Sequence, residues 1–252
     1  MSDLHMFDIY ESFYAKIESS LIFSKYCEAV YGIDFSQDGF ADFEQIKDLL
    51  ARLNLKPNSK MLDIGCGNGK FCEYVNIQTG AKVYGFDYSP VAIKSAKKRL
   101  AGQSEHFMVA AIDSQDYPEM SFDAIVSIDT LYFTDDLETI IKRIMRWLKP
   151  CGIFAAYYMD DTRGHDETQL AQILRTNGLT CEVFDYSEAH YRLMRRKHDT
   201  ALAMRNELER DGLVEHTKRM LQESYDESVT IESLQDKQCG LRYLYTVRKP
   251  TI

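Results

Sequence analysis

Apolar residues recur at helical spacing over residues 4–31: Phe7, Tyr10, Phe13, Tyr14 and Ile17, then Leu21, Ile22, Tyr26 and Val30. Positions three and four apart share one helix face, so the spacing predicts two helices, broken near Ser19-Ser20. Residues 32–39 read as a loop, with Asp38-Gly39 a turn signal. A third helix is expected from about 40 to 53, with Phe43, Ile46, Leu49, Leu50 and Leu53 inward, and Pro57-Asn58 ends this helical stretch.

From residue 60 onward the spacing changes. Short apolar runs predict strands at about 60–65, 82–87, 106–111, 122–128, 153–159 and 179–186. Helical stretches fall between them, at about 69–79, from Ser89-Pro90 onward, at about 136–148 and at about 166–177. Ser89 is a good N-cap residue, and Pro90 fits the first helical position, where its missing N–H costs nothing. Asn177-Gly178 suits a helix C-terminus. Such alternation predicts an α/β fold with a mainly parallel sheet and helices on both faces. Residues 187 to about 238 interrupt the alternation with polar helical sequence, and 240–248 read as a last strand. The expected division is an N-terminal helical cap at 1–56, a cofactor-binding core at 57–186, a helical insertion at 187–239 and the core's final strand at 240–252. An insertion at the ligand edge of an α/β sheet commonly builds a substrate lid.

Composition narrows the partners. The 252 residues are 45% hydrophobic, enough for one large α/β domain or one domain with an appendage. A net charge of −9 argues against nucleic acid, which calls for a basic surface. The one basic run, Arg192 to His198, sits among acidic neighbours and reads as a solvated helix face. Cysteines at 27, 66, 72, 151, 181 and 239 include no C-x-x-C pair and no zinc spacing with histidine. No metal site is expected, and the thiols suit a reduced, cytoplasmic setting. The N-terminus lacks the basic-then-apolar order of a signal peptide, and no apolar run approaches the roughly 18 residues of a membrane span.

The chemistry begins where the first strand meets glycine. Lys60-Met61-Leu62-Asp63-Ile64-Gly65-Cys66-Gly67-Asn68-Gly69 runs from a buried strand through alternating glycines into a helix, the form of a nucleotide-binding corner. A dinucleotide fingerprint would read G-x-G-x-x-G with no acid on the strand. Here the glycines run G-x-G-x-G, and Asp63 stands two residues before the first. An acid there repels a pyrophosphate, which counts against an NAD-dependent oxidoreductase, and it favours a cationic group such as an α-ammonium. Asp87 ends the second strand, where an acid commonly accepts from two ribose hydroxyls. Asp113-Ser114 follows the third strand, where a carboxylate could take the exocyclic amine of adenine. S-adenosylmethionine carries an ammonium, a ribose diol and an adenine, and no phosphate.

At this point the sequence resembles the class I S-adenosylmethionine-dependent methyltransferases. The likeness rests on LDIGCGNG, the acid of GFDYS, the first acid of AIDSQDYP, FDAIVSID and LKPCG, in that family's order over residues 55–160. It implies a Rossmann-like, seven-stranded, mainly parallel sheet whose last strand is antiparallel, supplied here by RYLYTVRK. It also implies a cofactor site lined by Asp63, Gly65, Cys66, Gly67, Asp87, Tyr88, Asp113, Ser114 and Asp129, the last facing either sulfonium or substrate.

Two narrower resemblances concern the methyl acceptor. KYCEAVYGIDFSQDGF is similar to the region before the cofactor motif in small phosphoethanolamine N-methyltransferases, which implies an active-site role for Tyr26. The loop Ser36-Gln37-Asp38-Gly39 departs from that group, which has two adjacent glycines there. SIDTLYFTDD resembles the same group after the fourth strand and implies Tyr132 in the substrate pocket. YSEAHYRLMRRKHD is similar to a stretch in the cyclopropane fatty acid synthase and plant alkaloid N-methyltransferase group, which implies that His190 and Tyr191 lie near the reacting centre. The expected activity is direct in-line methyl transfer to a small molecule, with an amine nitrogen preferred. An O- or C-methyltransferase acting on a metabolite or lipid stays open, as does a module that binds S-adenosylmethionine without chemistry. Neither nucleic acid nor membrane is expected as a partner, and a homodimer stays open.

Overall fold

Strand β1 (Lys60–Ile64) is central to the sheet because both of its faces are apolar up to Asp63. Leu62 and Ile64 pack into the core on one side of the sheet and Met61 into the core on the other. Each such fully buried side chain contributes about 1.5–3 kcal/mol relative to an exposed one. The computed structural model describes residues 3–36, 39–160, 164–237 and 240–251, without the side chains of 3–6 and 235–237. Gln37 and Asp38 of the expected loop, and Cys239, lie outside the described residues.

Six further strands join β1: β2 (Lys82–Asp87), β3 (Phe107–Val109), β4 (Phe122–Ile128), β5 (Leu148–Met159), β6 (Cys181–Asp185) and β7 (Arg242–Arg248). Their order across the sheet is β3-β2-β1-β4-β5-β7-β6. The pairs from β3 to β5 are parallel, and β7 lies antiparallel between β5 and β6. This is the expected architecture. Most boundaries shift by up to three residues, and the largest shift is at the start of β5. Helix α6 (Leu137–Trp147) passes straight into β5, earlier than the expected start at 153. Lys149 to Gly152 are absorbed as a register shift against β4, and the Cys151 N–H pairs with the Lys249 carbonyl at 3.0 Å. The turn residues there make a bulge inside a longer strand instead of ending the helix in a loop.

The helices divide by what they cover. Helix α3 (Phe43–Leu53), capped by Asp42, sends Ile46, Leu49 and Leu53 against the sheet face that also holds α4 (Lys70–Thr79) and α5 (Pro90–Arg99). The opposite face is covered by α6 and α7 (Gln169–Thr176). Helices α1 (Asp3–Ile17) and α2 (Leu21–Tyr31) pack instead with the insertion between β6 and β7. That insertion comprises α8 (Ser187–Ala203), α9 (Arg205–Arg210), α10 (Val214–Glu223) and α11 (Ile231–Lys237). The break between α1 and α2 is where the spacing places it, because Ser20 caps α2 by accepting the Phe23 N–H at 3.0 Å. Among the described residues no helix is long and apolar enough to cross a membrane, and no cluster of three or more His, Cys, Asp or Glu could hold a metal.

Candidate active site

The turn after β1 is built by exclusion. Gly65 adopts φ +74°, and a Cβ there would collide with the Thr130 side chain. Gly67 adopts φ +53°, and a Cβ there would lie 2.6 Å from the Tyr14 hydroxyl of α1. Glycine at both positions keeps the backbone left-handed and lets its neighbours approach closely.

Two carboxyl groups sit against this turn. Asp63 is 3% exposed and accepts from the Cys72 thiol at 3.5 Å. Burial pushes its carboxyl up to about 7; the Cys72 hydrogen bond works against the rise and the nearby Asp87 charge adds to it. Asp87, at the end of β2, takes the Gly67 N–H at 3.0 Å on one oxygen and the Ser89 N–H at 2.9 Å on the other. Burial lifts it to about 6 against those two bonds. Helix α1 lies over this corner: the Glu11 carboxylate accepts from the Ser89 hydroxyl and from the Val91 N–H at 3.3 Å. Asp113, in the loop after β3, accepts from the Thr134 hydroxyl.

These residues open onto one cavity of about 900 Å³, near the top of the ~300–1,000 Å³ range of small-molecule pockets. Asp63, Gly65, Cys66, Gly67, Asp87, Tyr88, Asp113 and Asp129 all line it. Ser114 is not among the lining residues; its hydroxyl turns back to the Ala111 carbonyl at 2.9 Å. Asp129 directly follows β4 with φ +58°. Its carboxylate is gripped by both terminal nitrogens of Arg242, one of them at 3.0 Å, and also takes the Phe40 N–H at 3.2 Å. Arg242 is fully buried, so the charge of Asp129 is largely cancelled before any ligand meets it.

The four acceptor-side candidates are spread over two layers. Tyr132 lines the cavity; its oxygen accepts the Met159 N–H at 2.9 Å, and burial pushes its phenol far above the ordinary value. Tyr26 is fully buried in the core shared by α2 and α8, stacked on Phe23, and is not a lining residue. His190 is buried one layer back, with its ring centroid 5.3 Å from that of Phe40, a lining residue. Burial, then the charges of Arg242 and Lys197, push it down to about 3, so it stays neutral. Tyr191 donates to the Val229 carbonyl at 3.1 Å and does not reach the cavity.

The cavity also takes residues that sequence reading passed over. Tyr10 and Tyr14 of α1 look like one face of an amphipathic helix, which they are, but that face roofs the cavity. Arg219 and Glu223 of α10 line it as well. Their four-residue spacing is the one available signal, and on a polar helix it reads as a surface ion pair. Nothing local marks Arg242 as the partner of Asp129.

Comparisons with known proteins fit this arrangement. Residues 62–156 match the family model described as a methyltransferase domain. Phosphoethanolamine N-methyltransferase 1 of Arabidopsis thaliana is 36% identical over 127 residues, which are 50% of this chain and 26% of that protein. Phosphoethanolamine N-methyltransferase of Plasmodium falciparum is 31% identical over 131 residues, 51% of this chain and 48% of that one. The chain thus spans less than half the length of these relatives. Among solved structures, Haemonchus contortus phosphoethanolamine N-methyltransferase 2, in complex with phosphomonomethylethanolamine and S-adenosylhomocysteine, superposes with a TM-score of 0.66 at 19% identity, over 96% of this chain and 60% of that one. A cyclopropane synthase from Mycobacterium tuberculosis superposes with a TM-score of 0.70 at 16% identity, over 95% of this chain and 98% of that one. At these identities the two structures show the shared fold. The strand order, the glycine turn with its two acids and the match over residues 62–156 converge on a methyltransferase domain in a Rossmann-like fold.

Proposed function

We propose that the protein moves the methyl group of S-adenosylmethionine to the amine nitrogen of a small molecule. The observation that carries this is one cavity lined by two chemically distinct sets of residues. One set is the glycine turn with the buried Asp63 and Asp87, and Asp113. The other is Phe40, Tyr132 and Phe133 with Asp129, Arg219 and Glu223, and we take it as the acceptor end. The residues present fit the cosubstrate. A carboxyl raised to about 7 by burial gains most from an ammonium beside it. Asp87 has lone pairs left after its two backbone bonds, so it can also accept from a ribose diol.

When bound, the cosubstrate supplies a methyl on a positively charged sulfur, which is already a strong electrophile. The chain's part is to hold the acceptor nitrogen about 3 Å away in the correct line and to exclude water. Phe40, Tyr132 and Phe133 form the apolar wall for that task. The Tyr132 phenol stays protonated, so it serves as a hydrogen-bond donor and not as a base. Phosphoethanolamine N-methyltransferases among the relatives support nitrogen as the acceptor atom. We place the protein in the cytoplasm on the support of the free thiols Cys66, Cys72, Cys151 and Cys181, a location that cell fractionation checks.

Calorimetry with S-adenosylhomocysteine tests the cofactor half, and no heat of binding at high micromolar ligand would sink it. A radiolabelled methyl-transfer screen over amines, phenols and carboxylates tests the acceptor half. The expected product is labelled amine that survives mild base, and label appearing only in base-labile esters would overturn the nitrogen assignment.

A further inference from the structure

The acceptor end of the cavity has a definite charge layout. Among the described lining residues the cations are Lys70 and Arg219. Lys70 is committed at the glycine-turn end, where its ammonium lies 2.6 Å from Asp34. Asp129 is answered from behind by the buried Arg242. Asp135 belongs with Asp113, to whose carboxylate its N–H donates at 3.4 Å. The charged lining groups left for the acceptor end are Arg219 and Glu223, one turn apart on α10. Their nearest atoms are 3.9 Å apart, an ion pair beyond hydrogen-bond distance. A guanidinium has five donors and a carboxylate about four acceptor sites, so each can bind a third party while keeping this neighbour.

Arg219 is held in place by the cap. Its guanidinium lies over the Tyr10 ring, 5.6 Å from the centroid, and one terminal nitrogen is 3.4 Å from His216 Nδ1. The His216 ring packs against Phe13 at 4.5 Å and Phe23 at 5.4 Å. Burial pushes His216 down to about 3, so it stays neutral and does not repel the guanidinium. Arg219 is thus braced by α1 and α2, and both it and Glu223 line the cavity.

We infer that Arg219 and Glu223 select the acceptor, and that it is an amino-acid-type molecule: an amine with a carboxylate a few bonds from its nitrogen. Arg219 grips the carboxylate and Glu223 receives the amine. This rests on the amine reading above and adds the rest of the molecule to it. Two opposite charges side by side match the two ends of a zwitterion, whereas a ligand with one charge leaves the other group desolvated without gain. A single guanidinium fork fits one planar carboxylate. A phosphate dianion would set two negative charges against one cation with Glu223 alongside, which disfavours the phosphate-bearing amines. Glu223 is 46% exposed, so the proton has a way out. The acceptor's N–H bond breaks, its electron pair stays on nitrogen, and the proton passes to the Glu223 carboxylate and on to water; that pair would then form the N–C bond to the methyl as the C–S bond breaks and its electrons leave with S-adenosylhomocysteine.

The experiment is calorimetry on the full chain saturated with S-adenosylhomocysteine, using matched probes. These are sarcosine against sarcosinamide, phenylalanine against phenylalaninamide, and phosphoethanolamine against ethanolamine. At least one carboxylate amine is expected to bind more tightly than its amide by about ten-fold or more, the scale of hydrogen bonds to a charged group. Arg219→Met is expected to erase that preference while S-adenosylhomocysteine affinity is kept, which also reports that the variant is folded; Arg219→Lys is expected to retain part of it. Equal binding of the carboxylates and their amides overturns the inference while leaving the amine reading standing. So does tighter binding of phosphoethanolamine, or a preference that persists in Arg219→Met. Normal S-adenosylhomocysteine binding with no amine bound in any arm overturns the amine reading itself, and the inference with it.

Discussion

Asp63 is the buried carboxyl beside the glycine turn on which the proposed cofactor site depends. Its carboxyl titrates near 7 in the folded protein against an ordinary 3.8, so between those values the folded state holds a proton that the unfolded chain releases. The stability tied to this group is complete below about pH 4 and is lost as the pH rises through 7. Asp63→Asn removes the loss. Urea denaturation at pH 8 is expected to show the variant more stable than the parent, by up to about 4 kcal/mol, with S-adenosylhomocysteine binding abolished. The same titration controls affinity, because an ammonium ligand favours ionised Asp63. Binding of S-adenosylhomocysteine is expected to tighten about ten-fold between pH 6 and pH 8. At pH 7 it should release protons, seen as a binding enthalpy that changes with the buffer's ionisation heat.

At the scale of elements, α1 is joined to the cofactor corner through the start of α5. Ser89 caps α5 by accepting the Ala92 N–H at 3.1 Å and at the same time donates to Glu11. Ser89→Ala removes both interactions and should cost about 1–2 kcal/mol. Glu11→Ala leaves the Ser89–Ala92 cap and removes the bonds by which Ser89 and Val91 hold the roof. Hydrogen exchange is expected to speed up along α1, by about ten-fold for the loss of a charged hydrogen bond at the edge of a helix, with β1 and β4 unchanged. An unchanged α1 would mean that the roof is held by its rings alone, such as Tyr10 against Tyr88 at 6.1 Å and Phe7 against Tyr88 at 5.7 Å.

Across the whole molecule the acceptor end depends on a contact between distant parts of the chain. Asp129 and Arg242 are 113 residues apart in sequence, and both carboxylate oxygens are engaged. Arg242→Met leaves a buried carboxylate without its counter-charge and is expected to destabilise by about 3–5 kcal/mol in urea denaturation, whereas the double variant with Asp129→Asn should recover most of that. This dependence also explains how much could be read from the chain. Asp63, Asp87 and Asp113 were legible because strand periodicity fixes where each acid falls relative to the end of its strand. The strands and their mainly parallel pairing follow from the same periodicity, whereas the antiparallel last strand came from the family resemblance. Arg219, Glu223 and Arg242 were not legible, because their meaning lies in which distant surface each faces. Tyr26 and His190 show the converse: their segments resemble known active sites, yet in this fold their rings are packed one layer behind the cavity wall.

The position of β7 between β5 and β6 has a consequence for how the chain comes together. Strand β6 has its ladder partner in β7 and β5 has its outer partner there, so neither pairing can form until the whole insertion of residues 187–239 has been spanned. Closing so long a loop is entropically slow compared with docking β1, β2 and β4, whose connections are short. The cofactor end should therefore assemble first, with the outer edge of β5 exposed as an open template until β7 arrives. Arg242 rides on that late strand, so the glycine-turn corner is built before the Asp129–Arg242 pair behind the far cavity wall can close.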